Sequence, residues 1–230
     1  MPRETLDRQM HQLQDEVLLL GSMVEQATMK SMDTLKNHDL TAARQLYNHD
    51  RVINEKRYAI ENAILIIMAT QQPMAHDLRQ LAAFLEITAE LERMGDYAKG
   101  ISKVTMLLGN APLPIPLQDL DHMAELGLAM LHDALGAFIS ENAVAANQIP
   151  KRDDEVDELY NRVYHSLVSA MIANPEIIDN ANHLMWVAHN LERLADRVSN
   201  ICERTVFIKT GELLEFEKPE DEEDGEEESI

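Results

Sequence analysis

Two stretches of this chain, 100 positions apart, spell nearly the same phrase. Residues 91–101 are LERMGDYAKGI and residues 191–201 are LERLADRVSNI. The likeness extends outward. With an offset of 103, Met32 corresponds to Leu135, Leu35 to Phe138, Asp39 to Asn142, Leu46 to Ile149, Asp50 to Asp153, Ile53 to Val156 and Asn54 to Asp157. The offset falls to 102 at Pro73 and Pro175 and to 100 at the paired phrases, as small insertions near helix ends produce. A repeat of about 100 residues means that one structural unit is built twice.

Each copy reads as three helices. Apolar residues recur at helical spacing near 4–37, 40–70 and 74–108, and again near 117–141, 152–173 and 176–210, with a short helical piece after Asn142. Asp39 is a good N-cap, and Pro73 and Pro175 stand where helices begin. Leu, Ala, Met, Glu and Ile dominate, aromatics are only 4%, and runs of Val, Thr and aromatics that would suggest strands are missing. The class is therefore all-α: six long helices forming two pseudo-symmetric three-helix bundles. The Pro-rich stretch 109–117, GNAPLPIPL, separates a first unit, 1–110, from a second, 111–216. Residues 217–230 hold nine acids and one Lys, the composition of a solvated tail.

The repeated phrases carry acids one helical turn apart, Glu92 with Asp96 and Glu192 with Asp196. Like charges at that spacing repel by a few tenths of a kcal/mol. The helix before each phrase carries a matching pair, Asp50 with Asn54 and Asp153 with Asp157. If each helix pair is an antiparallel hairpin turning at the proline, the two pairs stand at the same height, near the surface. Helix axes ~8–10 Å apart would let inward-reaching carboxylates share a cation. Oxygen-only ligands suit hard or borderline ions: magnesium, manganese, calcium, iron or zinc. The second copy, with Asn200 added, has the fuller set, so the first should bind more weakly.

The formal net charge is −21, and about −13 without residues 217–230. That argues against a nucleic acid or a bare anionic membrane as partner. A single cysteine, Cys202, suits a reducing compartment. The N-terminus lacks an apolar secretory core, and no run approaches 18 apolar residues, so no direct membrane insertion is expected and the expected location is the cytoplasm. No Glu-x-x-His, Gly-rich phosphate loop, G-x-S-x-G or C-x-x-C occurs, so catalysis has no visible machinery.

The phrases QQPMAHDLR (71–79), LERMGDYAKGIS (91–102), RDDEVDELYNRV (152–163) and LERLADRVSNICE (191–203), with FIKTGELLE near the end, resemble the PhoU family over residues 1 to about 216. The resemblance implies a non-enzymatic cytoplasmic regulator, usually a homodimer, peripheral to the inner membrane through its partners. Those partners would be the sensor histidine kinase of the phosphate two-component system and the ATPase subunit of the phosphate ABC transporter. The role would be negative regulation of phosphate uptake and starvation signalling at high phosphate. It also implies metal binding at Asp50, Asn54, Glu92, Asp96, Asp153, Asp157, Glu192 and Asp196. Asn54 stands where an acid is expected, Ala195 where Gly is frequent, and Arg197 where His is common. Arg79, Arg93, Arg193 and Arg197 would offer a docking surface. Two other classes compete: a carboxylate-bridged metal-dependent hydrolase, and a metal-independent helical scaffold whose acids only face water.

Overall fold

Apolar residues at alternating steps of four and three place Leu6, Met10, Leu13, Val17, Leu20 and Val24 on one buried stripe of the first helix. The same spacing organises the rest. The computed structural model describes residues 2–213 and 215–216, and the acidic segment 217–230, expected as a tail, lies outside the described residues. The helices are α1 Pro2–Asn37, α2 Leu40–Gln71, α3 Ala75–Leu108, α4 Gln118–Ile139, the single turn α5 Ala143–Ala146, α6 Asp153–Ala173 and α7 Ile178–Thr210. No strand occurs among the described residues. Six of the seven are long, three in each repeat.

Local chemistry sets the boundaries. His38, at φ 51°, ends α1. Asp39 then caps α2, accepting hydrogen bonds from the Thr41 and Ala42 amides at 3.1 and 2.9 Å. Gln72, also left-handed, ends α2. Pro73 lies just outside α3 rather than in its first turn, and Met74 is the N-cap residue. Asn142 and Asn174 cap the turns that follow them, accepting from the Ala145 and Glu176 amides. Residues 109–117 link the repeats but are no loose tether: Leu113, Ile115 and Leu117 pack against the core.

In the first repeat α1, α2 and α3 pack on one another, and in the second α4, α6 and α7 do so. The bundles meet through α3 against α7 and α1 against α4. Apolar residues of both repeats form one continuous core, in which Phe84 of α3 meets Phe138 of α4 edge-to-face at 5.3 Å. Partner numbers fall along α7 as they rise along α3. Arg79 Nε donates to the Ile208 carbonyl, Arg204 pairs with Glu86, Arg197 with Glu90, and Gly100 lies against Asn190. The two helices are antiparallel, and the doubled phrases cross each other.

One buried charge ties the first bundle together at its end. Arg3 of α1 donates to both oxygens of Asp77 on α3, at 2.6 and 2.9 Å, and the Met74 amide donates to Asp77 at 3.0 Å. Burial pushes the Asp77 carboxyl up, but the hydrogen bonds from Arg3 and Met74 and the Arg3 charge outweigh it and hold it below its ordinary 3.8. A depressed carboxyl contributes stability above its unfolded value and loses it as pH falls through the folded one. Asp77→Asn should therefore destabilise the protein at pH 7, with the difference from the parent shrinking below about pH 4. Urea midpoints at both pH values measure this. An equal difference at pH 3 and pH 7 would contradict it.

Candidate functional site

The first repeat brings its predicted acids to the α2–α3 seam, but not as four open ligands. Asp50 is buried, 6% exposed, although a shallow surface position was expected. The seam reaches it because Ile53, three residues on, packs against Gly95 of α3 and draws that face inward. Lys99 Nζ donates to Asp50 Oδ2 at 2.7 Å and lies 3.5 Å from Asp96 Oδ1. The Asn54 amide donates to the same Asp50 oxygen at 3.1 Å. Glu92 is taken by Arg57, whose Nη1 donates at 2.8 Å while its Nε binds Glu61 at 2.7 Å. Hydrogen bonding to Asp50 raises the Lys99 ammonium above its ordinary value, reinforced by the charges of Asp50 and Asp96.

These bonds fix the register. Asp50 stands level with Lys99, and Arg57 with Glu92. The motifs are therefore offset by about three residues rather than level, roughly 4–5 Å along the helix. The turn is the reason: it centres beyond Pro73, because α3 starts only at Ala75.

The second repeat has the same frame with different chemistry. Asp153 begins α6 and is 5% exposed, while Asp157, Glu192, Asp196 and Asn200 are half-buried. Each of the four carboxylates has at least one polar or electrostatic interaction. His189 Nδ1 lies 3.3 Å from Glu192 Oε2. Burial raises the Tyr160 phenol, and the Glu192 charge raises it further. Carrying the repeat offsets to these residues shows the difference. Arg57 corresponds to Tyr160, and Lys99 to Ser199. Both bases of the first seam are uncharged in the second. Among the described residues, no three or more His, Cys, Asp or Glu stand close enough together to hold a metal ion. Any ion at the second seam must draw its ligands together.

The arginines expected as a docking surface are mostly engaged where the repeats meet. Arg197 Nε donates to the Tyr97 hydroxyl at 3.3 Å, and its Nη1 lies 3.4 Å from Glu90. Arg193 stacks over the Tyr97 ring at 5.2 Å. Only Arg93 is exposed, beside Glu90.

A family model described as the PhoU domain matches residues 17–105 and again 120–205. The chain belongs to the PhoU family. It is 32% identical over 216 residues to the phosphate-specific transport system accessory protein PhoU homologue of Rhizobium meliloti, covering 94% of this chain and 91% of that one. To the homologue from Streptococcus pneumoniae TIGR4 it is 33% identical, covering 93% and 99%. Its fold matches the crystal structure of the phosphate transport system regulatory protein PhoU from Streptococcus pneumoniae, with a TM-score of 0.85 and 32% identity over 91% of this chain and 99% of that one. It also matches PhoU from Pseudomonas aeruginosa, with a TM-score of 0.84 and 26% identity over 90% and 99%. Each PhoU domain match contains one acidic seam, Asp50 to Asp96 or Asp153 to Asn200.

In this PhoU chain Cys202 is fully buried, and burial together with the Glu203 charge pushes its thiol up to about 12. It remains a protonated core residue. Lys99, Arg57 and Tyr160 are the residues that motif reading missed. The signal was present, because Lys99 lies inside the duplicated phrase and changes to Ser199. Replacing Lys99 by Met leaves the buried Asp50 carboxylate without its charged donor. We expect a loss of about 1–3 kcal/mol in unfolding free energy, partly recovered in Lys99→Met/Asp50→Asn. Thermal or urea unfolding measures it, and a neutral Lys99→Met would show the pair to be ornamental.

Proposed function

We propose that this PhoU protein is a non-enzymatic regulator of phosphate-specific transport, acting in the cytoplasm as an adaptor. Its partners would be the ATPase subunit of the phosphate transporter and the sensor kinase of the phosphate two-component system. The carrying observation is similarity over nearly the whole length of relatives named accessory or regulatory proteins of phosphate transport. No described helix is long and apolar enough to cross a membrane, so attachment there would run through the partners. Deleting the gene should derepress phosphate uptake in phosphate-replete cells, and the tagged protein should retain the transporter ATPase on purification from them. Unchanged uptake together with no retained ATPase would sink the adaptor reading.

We also propose that the second repeat binds a metal ion, such as iron, zinc, magnesium or manganese, at the α6–α7 seam. The donor chemistry supports this. Asp153, Asp157, Glu192, Asp196 and the Asn200 amide lie on two adjacent helices, and the bases of the first seam are replaced there by Tyr160 and Ser199. A bound cation would offset the repulsion among the four acids and add its own charge to the surface a partner meets. Protein purified without chelator should carry metal that Glu192→Ala/Asp196→Ala loses. Equal metal content in the two would remove the site.

A further inference from the structure

The first seam carries basic side chains of its own, at positions where the second seam has Tyr160 and Ser199. Lys99 reaches from α3 to the buried Asp50 on α2 and lies within ion-pair distance of Asp96 on its own helix. Its side chain is 31% exposed, so the ammonium is partly withdrawn from water and close to two carboxylates. Arg57 neutralises Glu92. A small cavity beside Asp50 is lined by Lys30, His49 and Lys99, which brings a third basic side chain to the same place. The counterparts of Lys30, Arg57 and Lys99 one repeat later are Asp133, Tyr160 and Ser199. Three bases become one acid and two neutral residues, while the flanking apolar positions are kept. Asp50 Oδ1 is buried and makes no hydrogen bond, so only Oδ2 is engaged by Lys99 and Asn54.

We propose that Lys99 is the first repeat's built-in cation. Its ammonium occupies the place beside Asp50 and Asp96 that a metal ion takes at the corresponding seam of the second repeat, and so makes this PhoU protein a one-site rather than a two-site metal binder. The comparison rests on the metal reading of the second repeat, but the exclusion at the first seam stands on its own contacts. An incoming divalent ion would have to displace Lys99 from a charge-assisted hydrogen bond and then sit within a few ångströms of it, which Coulomb repulsion in a partly desolvated site opposes. Asn54 adds to this by offering Asp50 a donor where a carboxylate would offer a metal a ligand.

The test counts Mn²⁺ per chain by equilibrium dialysis and electron paramagnetic resonance, in a background where Asp153→Asn/Glu192→Gln disables the second seam. Lys99→Ser copies the second repeat. Lys99→Gln keeps a hydrogen-bond donor toward Asp50 and so protects the fold, which circular dichroism checks. With Lys99 present the background chain should bind essentially no Mn²⁺. Both replacements should gain Mn²⁺ at least ~10-fold more tightly, the effect of removing a like charge a few ångströms from the ion. The same Mn²⁺ should raise the melting temperature of the replaced chains but not that of their parent. Folded Lys99→Gln that gains no Mn²⁺ overturns the proposal, as does a parent that binds it with Lys99 in place. If the chain with both seams intact takes no Mn²⁺, the second-repeat reading falls, while a gain in Lys99→Gln still supports the built-in cation.

Discussion

The rest of the structure depends on the antiparallel packing of α3 against α7. These are the last long helices of their repeats, and each is also the innermost helix of its own bundle. With neighbours on several sides, both bury side chains around much of their circumference. Polar residues survive only where they find a partner or reach a seam. Gly100 shows how close the approach is: a Cβ there would stand 2.7 Å from the Asn190 amide nitrogen. The doubled phrase is therefore first a packing device. Its Leu, Met and Ala residues make the crossing, and Tyr97, Arg193 and Arg197 lock it from the side.

The acids ride on the face that this packing leaves over, turned toward the second helix of each repeat. Two copies of one frame surround those acids with different side chains. In the first, the charges come from Lys99 and Arg57 within the chain, and the seam is a closed set of ion pairs. In the second, Ser199 and Tyr160 stand at those positions, so neither of those two bases is present there. A duplicated fold can in this way keep one frame while changing the chemistry of one copy's seam.

Much of this was legible in the sequence, because helix periodicity and caps are local. Asp39 and Asn142 announced their turns, and the three-helix repeat followed from apolar spacing. The height of the acid pairs was misjudged by about three residues, since Pro73 marks the turn only approximately and Gln72 absorbs the difference with a left-handed backbone. The burial of Asp50 and the fate of the arginines were hidden for a different reason. Both depend on which helix lies opposite, which is a tertiary fact. Lys99 and Arg57 stood in plain view, but a motif search for ligands passes over the bases that would displace a metal.

The difference proposed between the two seams lies in what neutralises them. Crystals grown with Mn²⁺ and measured at the manganese edge test it most directly. Anomalous density is expected between α6 and α7, beside Asp153, Asp157, Glu192 and Asp196, and none beside Asp50 and Asp96, where the Lys99 side chain should remain in place. Peaks of equal height at both seams would contradict it.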